Sequence, residues 1–473
     1  MRPALLLPCL AFLLGGCAHL PRAHAPAPAR PDGLRDLAGM AARAGLGKGA
    51  WPHTAWWTAA RLPALNHLMT AALRDNPGLT AAFSRLMAAR AEIRAAQSAE
   101  YPHIDAQALM TQAYFSRQGL HTTANGTHVL YTEVDPLLAS YHVALWGRTR
   151  AGIRAAVGAE QVARAEQAQA RLLLAARITW HYFALAGDRI RAQDLARTKR
   201  LQTQLLRLTR KRLQLGLTSA SAFYRAERAR AATAGALATV VADMRVERHI
   251  LAALAGHGPR FGRGIVAVLP HRTHLVLPRD LPLALVTHRP DITAARAALA
   301  IAAARVGAAR AAFYPDINIA LFAGWNSVHL ASLFSPGNLA HAIGPVITLP
   351  IFEGGLLRAH LRADGALYHA AQAHYRHTIL KAVQQIADRL ARWRAVSRRL
   401  HLQYASTQAA ARLMVLARAA YRAGLTGRLA AIRAHITLLR ARAQLAAAGT
   451  RNAQAWALLT SALGGGYHED HHQ

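Results

Sequence analysis

The sequence predicts a mainly helical protein with a small β part, organised as an internal tandem repeat. Three observations carry this reading. The 20 prolines leave two long gaps, with none from 137 to 258 and none from 351 to 473. Both gaps are rich in Ala, Leu, Arg and Gln, which are strong helix formers. Ile379, Val383, Ile386, Leu390, Trp393, Ser397 and Leu400 follow one another in steps of four and three, the spacing of packed coiled-coil helices. Leu201, Leu205, Leu208 and Leu215 supply matching apolar positions in the first gap. Finally, the chain overlays on itself. Residues 77–104 fall on 290–317 without a gap, matching Tyr101-Pro102 to Tyr314-Pro315, and Gly216-Leu217-Thr218 falls on Gly424-Leu425-Thr426.

Each element follows from local chemistry. A helix over 150–215 would be about 100 Å long at 1.5 Å per residue, the length of a rod or tube wall. Pro102 and Pro315 end the incoming helices, because proline cannot continue a helical ladder. After each comes a non-helical insert. Ile317, Ile319, Leu321 and Ala323 alternate with Asn318, Ala320, Phe322 and Gly324, and Tyr141, Val143 and Leu145 alternate likewise. These read as strands of about ten residues in two hairpins, spanning 103–146 and 316–352, with loops at 116–128 and 326–338. Gly147 and Gly354-Gly355 return each chain from strand to helix.

The chain of 473 residues carries 57 Lys+Arg against 23 Asp+Glu, a net charge of +34, with 25 His in addition. Its 53% hydrophobic content excludes a disordered polycation. Two cysteines exclude a disulfide framework or a Cys-based zinc site. Charge alone would suggest nucleic acid, but the N-terminus directs the chain out of the cytoplasm. Arg2 precedes an apolar run from Ala4 to Leu14, and Leu14-Gly15-Gly16-Cys17 has the form of a bacterial lipobox. Residues 1–16 therefore read as a signal peptide and Cys17 as a lipidated N-terminus, with Ala18 favouring outer-membrane sorting. Residues 17–50, rich in Pro, Ala, Gly and Arg, read as a tether.

The remaining divisions are an N-terminal helical segment at 51–76 and a first repeat at 77–255. A linker at 256–289, a second repeat at 290–463 and a flexible tail at 464–473 complete the chain. Soluble hairpins share the alternation of the two inserts. Two equivalent hairpins in a lipid-anchored chain point instead to the membrane. Four strands cannot close a barrel, so unpaired edges demand oligomerisation.

At this point the residues resemble a known family. The segments SYHVALWGRTRA (140–151), RPDITAARAALAIAAARVGAARAAFYPDI (289–317), PIFEGGLLRAHLRA (350–363), both GLT turns and LLTSALGGG (458–466) resemble the TolC-like outer-membrane efflux proteins. With LGGC at 14–17, the resemblance is to the NodT/OprM-type lipoprotein branch. It implies a homotrimer with a 12-stranded barrel in outer-membrane lipid and a periplasmic α-barrel. It implies the exit duct of a tripartite pump, docked to a periplasmic adaptor (a membrane fusion protein) and an inner-membrane efflux transporter. The turns Gly216-Leu217-Thr218-Ser219 and Gly424-Leu425-Thr426 would then be the adaptor-docking tips, and Tyr421 and Arg422 the periplasmic gate. Family members commonly carry Asp where this chain has Ala222.

No enzyme motif, metal site or nucleic-acid partner is expected, and no cofactor beyond the lipid on Cys17. The tail Tyr467-His468-Glu469-Asp470-His471-His472 reads as a surface tail rather than a metal site, and His121 and His128 as solvated loop residues. Two other readings stand beside the duct: an outer-membrane duct for type I protein secretion, and a periplasmic coiled-coil lipoprotein without a pore.

Overall fold

The computed structural model describes residues 47–49, 51–118, 126–270, 276–278 and 288–468. After a short strand β1 (Gly47–Gly49), the first half runs through α1 (Pro63–Asp75), α2 (Pro77–Gln97), β2 (His103–Tyr114), β3 (His128–His142), α3 (Arg148–Gln214) and α4 (Ala220–Leu254). Strand β4 (Val276–Pro278) follows. The second half runs through α5 (Pro290–Ala311), β5 (Asp316–Ser327), β6 (Leu339–Thr348), α6 (Leu356–Arg422) and α7 (Arg428–Ala462).

The two halves match closely in length. Helices α3 and α6 each have 67 residues, and α4 and α7 each have 35. Each of α3 and α6 is about 100 Å long at 1.5 Å per residue. Both short helices before the sheet begin with proline at the first helical turn, where its missing N–H costs nothing. Asn76 fixes the start of α2 twice over. Its side-chain oxygen accepts from Leu79 N–H at 3.1 Å, and its Nδ2 donates to the Leu254 carbonyl at the end of α4, 2.8 Å away.

The core lies where α1 and the N-terminal segment pack on α3. Trp56, Trp57, Leu65 and Met69 meet Ile178, Tyr182, Phe183 and Trp456 there. A second cluster joins Ile292, Ile379, Ile386, Leu390, Leu459 and Leu463. The heptad seam of α6 therefore points inward as its spacing predicts. Among the described residues, α5 is the one helix long and apolar enough to cross a membrane, but it packs between α3 and α6.

The other seam differs from expectation. Leu201, Leu205 and Leu208 are only half-buried and Leu215 is exposed, whereas Asp194, Thr198, Gln202 and Thr209 are buried. The buried face is polar because threonine can satisfy itself in a helix. Thr198 and Thr209 donate to the carbonyls four residues back at 2.8 Å.

Strand β3 runs from His128 to His142. Pro136 lies within it, in a β-bulge where β3 carries one extra residue against both neighbours, a place that tolerates proline within a sheet. Two other boundaries move. The segment expected as a free tether is tied at its end, since β1 pairs in parallel with β4. The expected tail starts too early: Gly464 and Gly465 are buried, and a side chain at Gly465 would strike Leu172 and Trp56. Residues 469–473 lie outside the described residues.

Asp194 supplies a test of the polar seam. Its carboxylate is buried, with one oxygen 3.5 Å from Arg197 and the other without a hydrogen-bond partner. Burial pushes its pKa up, only partly offset by Arg442 and Arg197. The folded state thus holds this proton more tightly than the unfolded chain. That contribution is fully present below the ordinary carboxylate pKa of about 3.9 and is lost as pH rises through the raised folded value. Asp194→Asn is expected to raise Tm at pH 7.5, with the gain over the parent protein vanishing below about pH 4. Calorimetry across that range checks it, and a gain independent of pH would contradict it.

Candidate functional site

The sheet is antiparallel with the order β2-β3-β5-β6, so the two hairpins meet along β3 and β5. Residues opposite one another in a ladder share a face. One face collects Ile104, Met110, Leu137, Ile319, Leu321, Ile343 and Ile347. The other mixes His103, Asp105, Gln107, Glu133, Ser140, Asn318 and Thr348 with Leu109, Leu138, Phe322 and Val346. The sheet therefore has one largely apolar side and one of mixed polarity. The outer edges of β2 and β6 have no strand partner among the described residues.

Glycines make the passage from sheet to helix. Gly147 caps α3 at φ +79° and Gly355 caps α6 at φ +89°, preceded by Gly354 at φ +59°. This left-handed conformation is cheap only for glycine. Pro102 and Pro315 each immediately precede a strand, with the helices ending at Gln97 and Ala311. Trp146 braces this junction. Its ring stacks on Tyr314 at 4.9 Å, and its Nε1 donates to the Pro315 carbonyl at 2.7 Å.

At the opposite end of the long helices sit two equivalent turns. Gly216 (φ +70°) donates to the Leu213 carbonyl, and Leu217 N–H reaches back to Arg212 O at 2.8 Å. Gly424 (φ +76°) and Leu425 repeat this with Tyr421 O and Ala420 O. Both are glycine-closed helix ends that satisfy otherwise orphaned carbonyls. Thr218 and Thr426 continue the turns, and Ser219 and Gly427 cap the next helices. Leu217 and Leu425 project 61% and 79% exposed, so each turn presents an apolar tip to solvent. Tyr421 and Arg422 lie on the last turn of α6, both exposed. Cys17 lies outside the described residues.

The turns sit in a strongly cationic region. No Asp or Glu occurs from Arg389 to His468, a stretch with thirteen Arg. From 195 to 226 there are eight Lys or Arg and no acid. The net charge is thus concentrated toward the end carrying the turns.

Arg289, the first residue of the RPDI motif, ties three helices together. Its buried guanidinium bonds Asp291 through two nitrogens at 3.0 and 2.6 Å. It also donates to Ala462 O at 2.7 Å and Gln385 Oε1 at 2.9 Å. One side chain thereby ties the start of α5, the end of α7 and the middle of α6.

Comparison with known proteins decides what this architecture is. The outer membrane efflux protein profile matches residues 68–257 and 281–465. The chain belongs to the outer membrane efflux protein family. Relatives include the multidrug resistance outer membrane protein MdtQ of Escherichia coli O6:H1, 29% identical with 89% of each chain covered. MdtP of the same organism is 27% identical, covering 96% of this chain and 94% of the relative. Among solved structures, the outer membrane protein VceC of Vibrio cholerae is 31% identical at a TM-score of 0.78, covering 88% of this chain and all of that one. The outer-membrane channel OprN is 25% identical at a TM-score of 0.81, with 94% and 98% covered. This efflux protein is therefore a channel-type protein of the outer membrane extending into the periplasm, not an enzyme.

In this efflux protein the turns owe their shape to backbone conformation, since no atom lies within 4 Å of a side chain built at Gly216 or Gly424. Gly216→Ala and Gly424→Ala are each expected to destabilise the turn by about 1 kcal/mol. Gly427→Ala, at φ −78°, is expected to leave it unchanged. Amide hydrogen exchange across 212–222 and 420–430 reads this out; equal effects at all three positions would exclude left-handed strain as the cause.

Proposed function

We propose that this efflux protein is the exit duct of a tripartite efflux system, passing small toxic compounds from a periplasmic adaptor and an inner-membrane pump to the exterior. The observation that carries the reading is the sheet: four strands, one apolar face, one face that gathers the polar side chains, and two edges without a strand partner among the described residues. A backbone N–H or C=O left unpaired in hydrocarbon costs several kcal/mol. Three copies pairing β6 of one with β2 of the next would close a 12-stranded wall and leave no edge. The matched helix lengths support an internal duplication in which each half contributes equally to a helical tube below that wall.

Closure explains the apolar exterior and the more polar interior together. The energy comes from the pump, and the duct contributes a continuous wall, a polar lumen and a gate. The two apolar tips, Leu217 and Leu425, are the adaptor-docking points. Their cationic surroundings fit an adaptor whose own tip is acidic. Tyr421 and Arg422 stand at the second tip, where helices must separate for the tube to open. Cys17 carries the lipid that holds the N-terminus at the membrane. The multidrug-resistance relatives favour small molecules over secreted polypeptides. The two-faced, four-stranded sheet counts against a coiled coil without a pore.

In planar bilayers the purified protein is expected to insert as discrete steps of current and to run as a heat-resistant trimer on gels. A delipidated monomer without conductance would overturn the reading. Tyr421→Ala is expected to raise single-channel conductance, and an unchanged trace would remove Tyr421 from the gate. Metabolic labelling with palmitate is expected to mark the parent protein and to be lost in Cys17→Ser.

A further inference from the structure

A cleft of about 550 Å³ opens between α3 and α6, where α5 begins and α7 ends. That volume suits a small organic molecule. Its position on α3 is informative. Leu174, Ile178 and Tyr182 of that helix face the core under Trp56 and Trp57. Leu173, Arg177 and Trp180 line the cleft. At 3.6 residues per turn these two sets are centred roughly 130° apart around α3, and Ala176 belongs to both surfaces. The cleft thus opens away from the surface that α1 and the N-terminal segment cover.

Its lining combines two chemistries. Trp180 and Leu173 are 36% and 45% exposed, giving an apolar, partly aromatic floor. Arg177, Lys381 and Arg389 line the same space, with His374 and His377 beside them. None of these five side chains has an ion-pair partner among the described residues. Asp291 is the one carboxylate in the lining, and both its oxygens are held by Arg289. His181, also in the lining, is bonded to Glu247 at 2.8 Å. The lining therefore carries an excess of positive charge. Burial and the neighbouring Arg392 depress the pKa of Arg389, against the opposing pull of Asp388.

We propose that this cleft binds amphiphilic organic anions: an aromatic or apolar body carrying a sulfonate, carboxylate or phosphate group. The body lies on Trp180 and Leu173. The anionic group is held by Lys381 and Arg389 from α6 and Arg177 from α3, with the His374 and His377 rings as further donors. Where the covered side of α3 is the outside of a tube, the cleft faces its lumen. That last step rests on the exit-duct reading; binding itself does not.

The test uses the full-length protein in nanodiscs and calorimetry with 1-naphthalenesulfonate. The comparators are 1-naphthalenemethanol, which is neutral, and 1-naphthylmethylammonium, which is cationic. The sulfonate is expected to saturate at one per chain and to bind about tenfold or more tighter than either comparator. Lys381→Gln with Arg389→Gln is expected to weaken it about tenfold, and the exposed Lys381→Gln alone about threefold. Trp180→Ala is expected to weaken the sulfonate while leaving inorganic sulfate unchanged. Arg412→Gln makes the same single charge change as Lys381→Gln alone, farther along α6, and is expected to leave affinity within about twofold. Equal binding of the cation, or equal loss in the Arg412 variant, would overturn the site. So would an unaltered affinity in Lys381→Gln with Arg389→Gln. A protein that binds the sulfonate but conducts no current refutes the duct and leaves the site standing. One that conducts but does not bind refutes the site alone.

Discussion

Water is the default partner of a backbone amide, and hydrocarbon removes it. That constraint shapes this protein more than any side-chain contact. Four strands can satisfy one another internally, yet among the described residues β2 and β6 each keep one edge without a strand partner. In a soluble protein such edges would be blunted by charge or covered by a loop. Here the greasy face runs out to both edges, with Ile104 and Met110 on β2 and Ile343 and Ile347 on β6. On the exit-duct reading proposed above, assembly of several copies resolves this, and the rest of the chain would then have to deliver identical geometry from every copy.

Equal helix lengths meet that demand. Two arms of 67 residues leave the sheet and two of 35 return toward it. A wall of unequal arms would stagger its tips, and a docking partner would meet them at different heights. The same balance locates Arg289. At mid-height α7 stops, α5 starts and α6 runs past, leaving helix ends that need partners. One guanidinium closes that gap with four hydrogen bonds. Breaking such a buried network by removing one partner typically costs about 3 kcal/mol or more, so the pin is structural rather than decorative.

The long helices, both tips and the α6 seam were legible in the sequence, because absence of proline, heptad steps and Gly-Leu-Thr repeats are local signals. What was not legible involves cancellation or distance. Pro136 falls inside strand β3, and only the register of the neighbouring strands shows that a bulge absorbs it. The polar seam of α3 was missed because Thr198 and Thr209 look hydrophilic, while their hydroxyls are spent on their own helix. The Gly464–Gly466 run looked like a loose end. Its missing side chains instead let the backbone press against Trp56 and His288. The cationic cleft was invisible because Arg177 and Lys381 are about 200 positions apart. Only the net charge hinted at it, and net charge has no address.

The small parallel pairing of Gly47–Gly49 with Val276–Pro278 sets the length of a leash. Thirty residue steps separate Cys17 from Gly47, a contour of about 100 Å when fully extended. From the start of α3 at Arg148 to the core at Ile178 is a similar number of residues, but helical, and so about 45 Å. On the proposed lipidation of Cys17, that contour is roughly twice the depth to be covered, so the anchor would exert no pull on the body. The pairing itself is a fixed point: the chain enters the body where Gly47–Gly49 meets Val276–Pro278, between the two repeats.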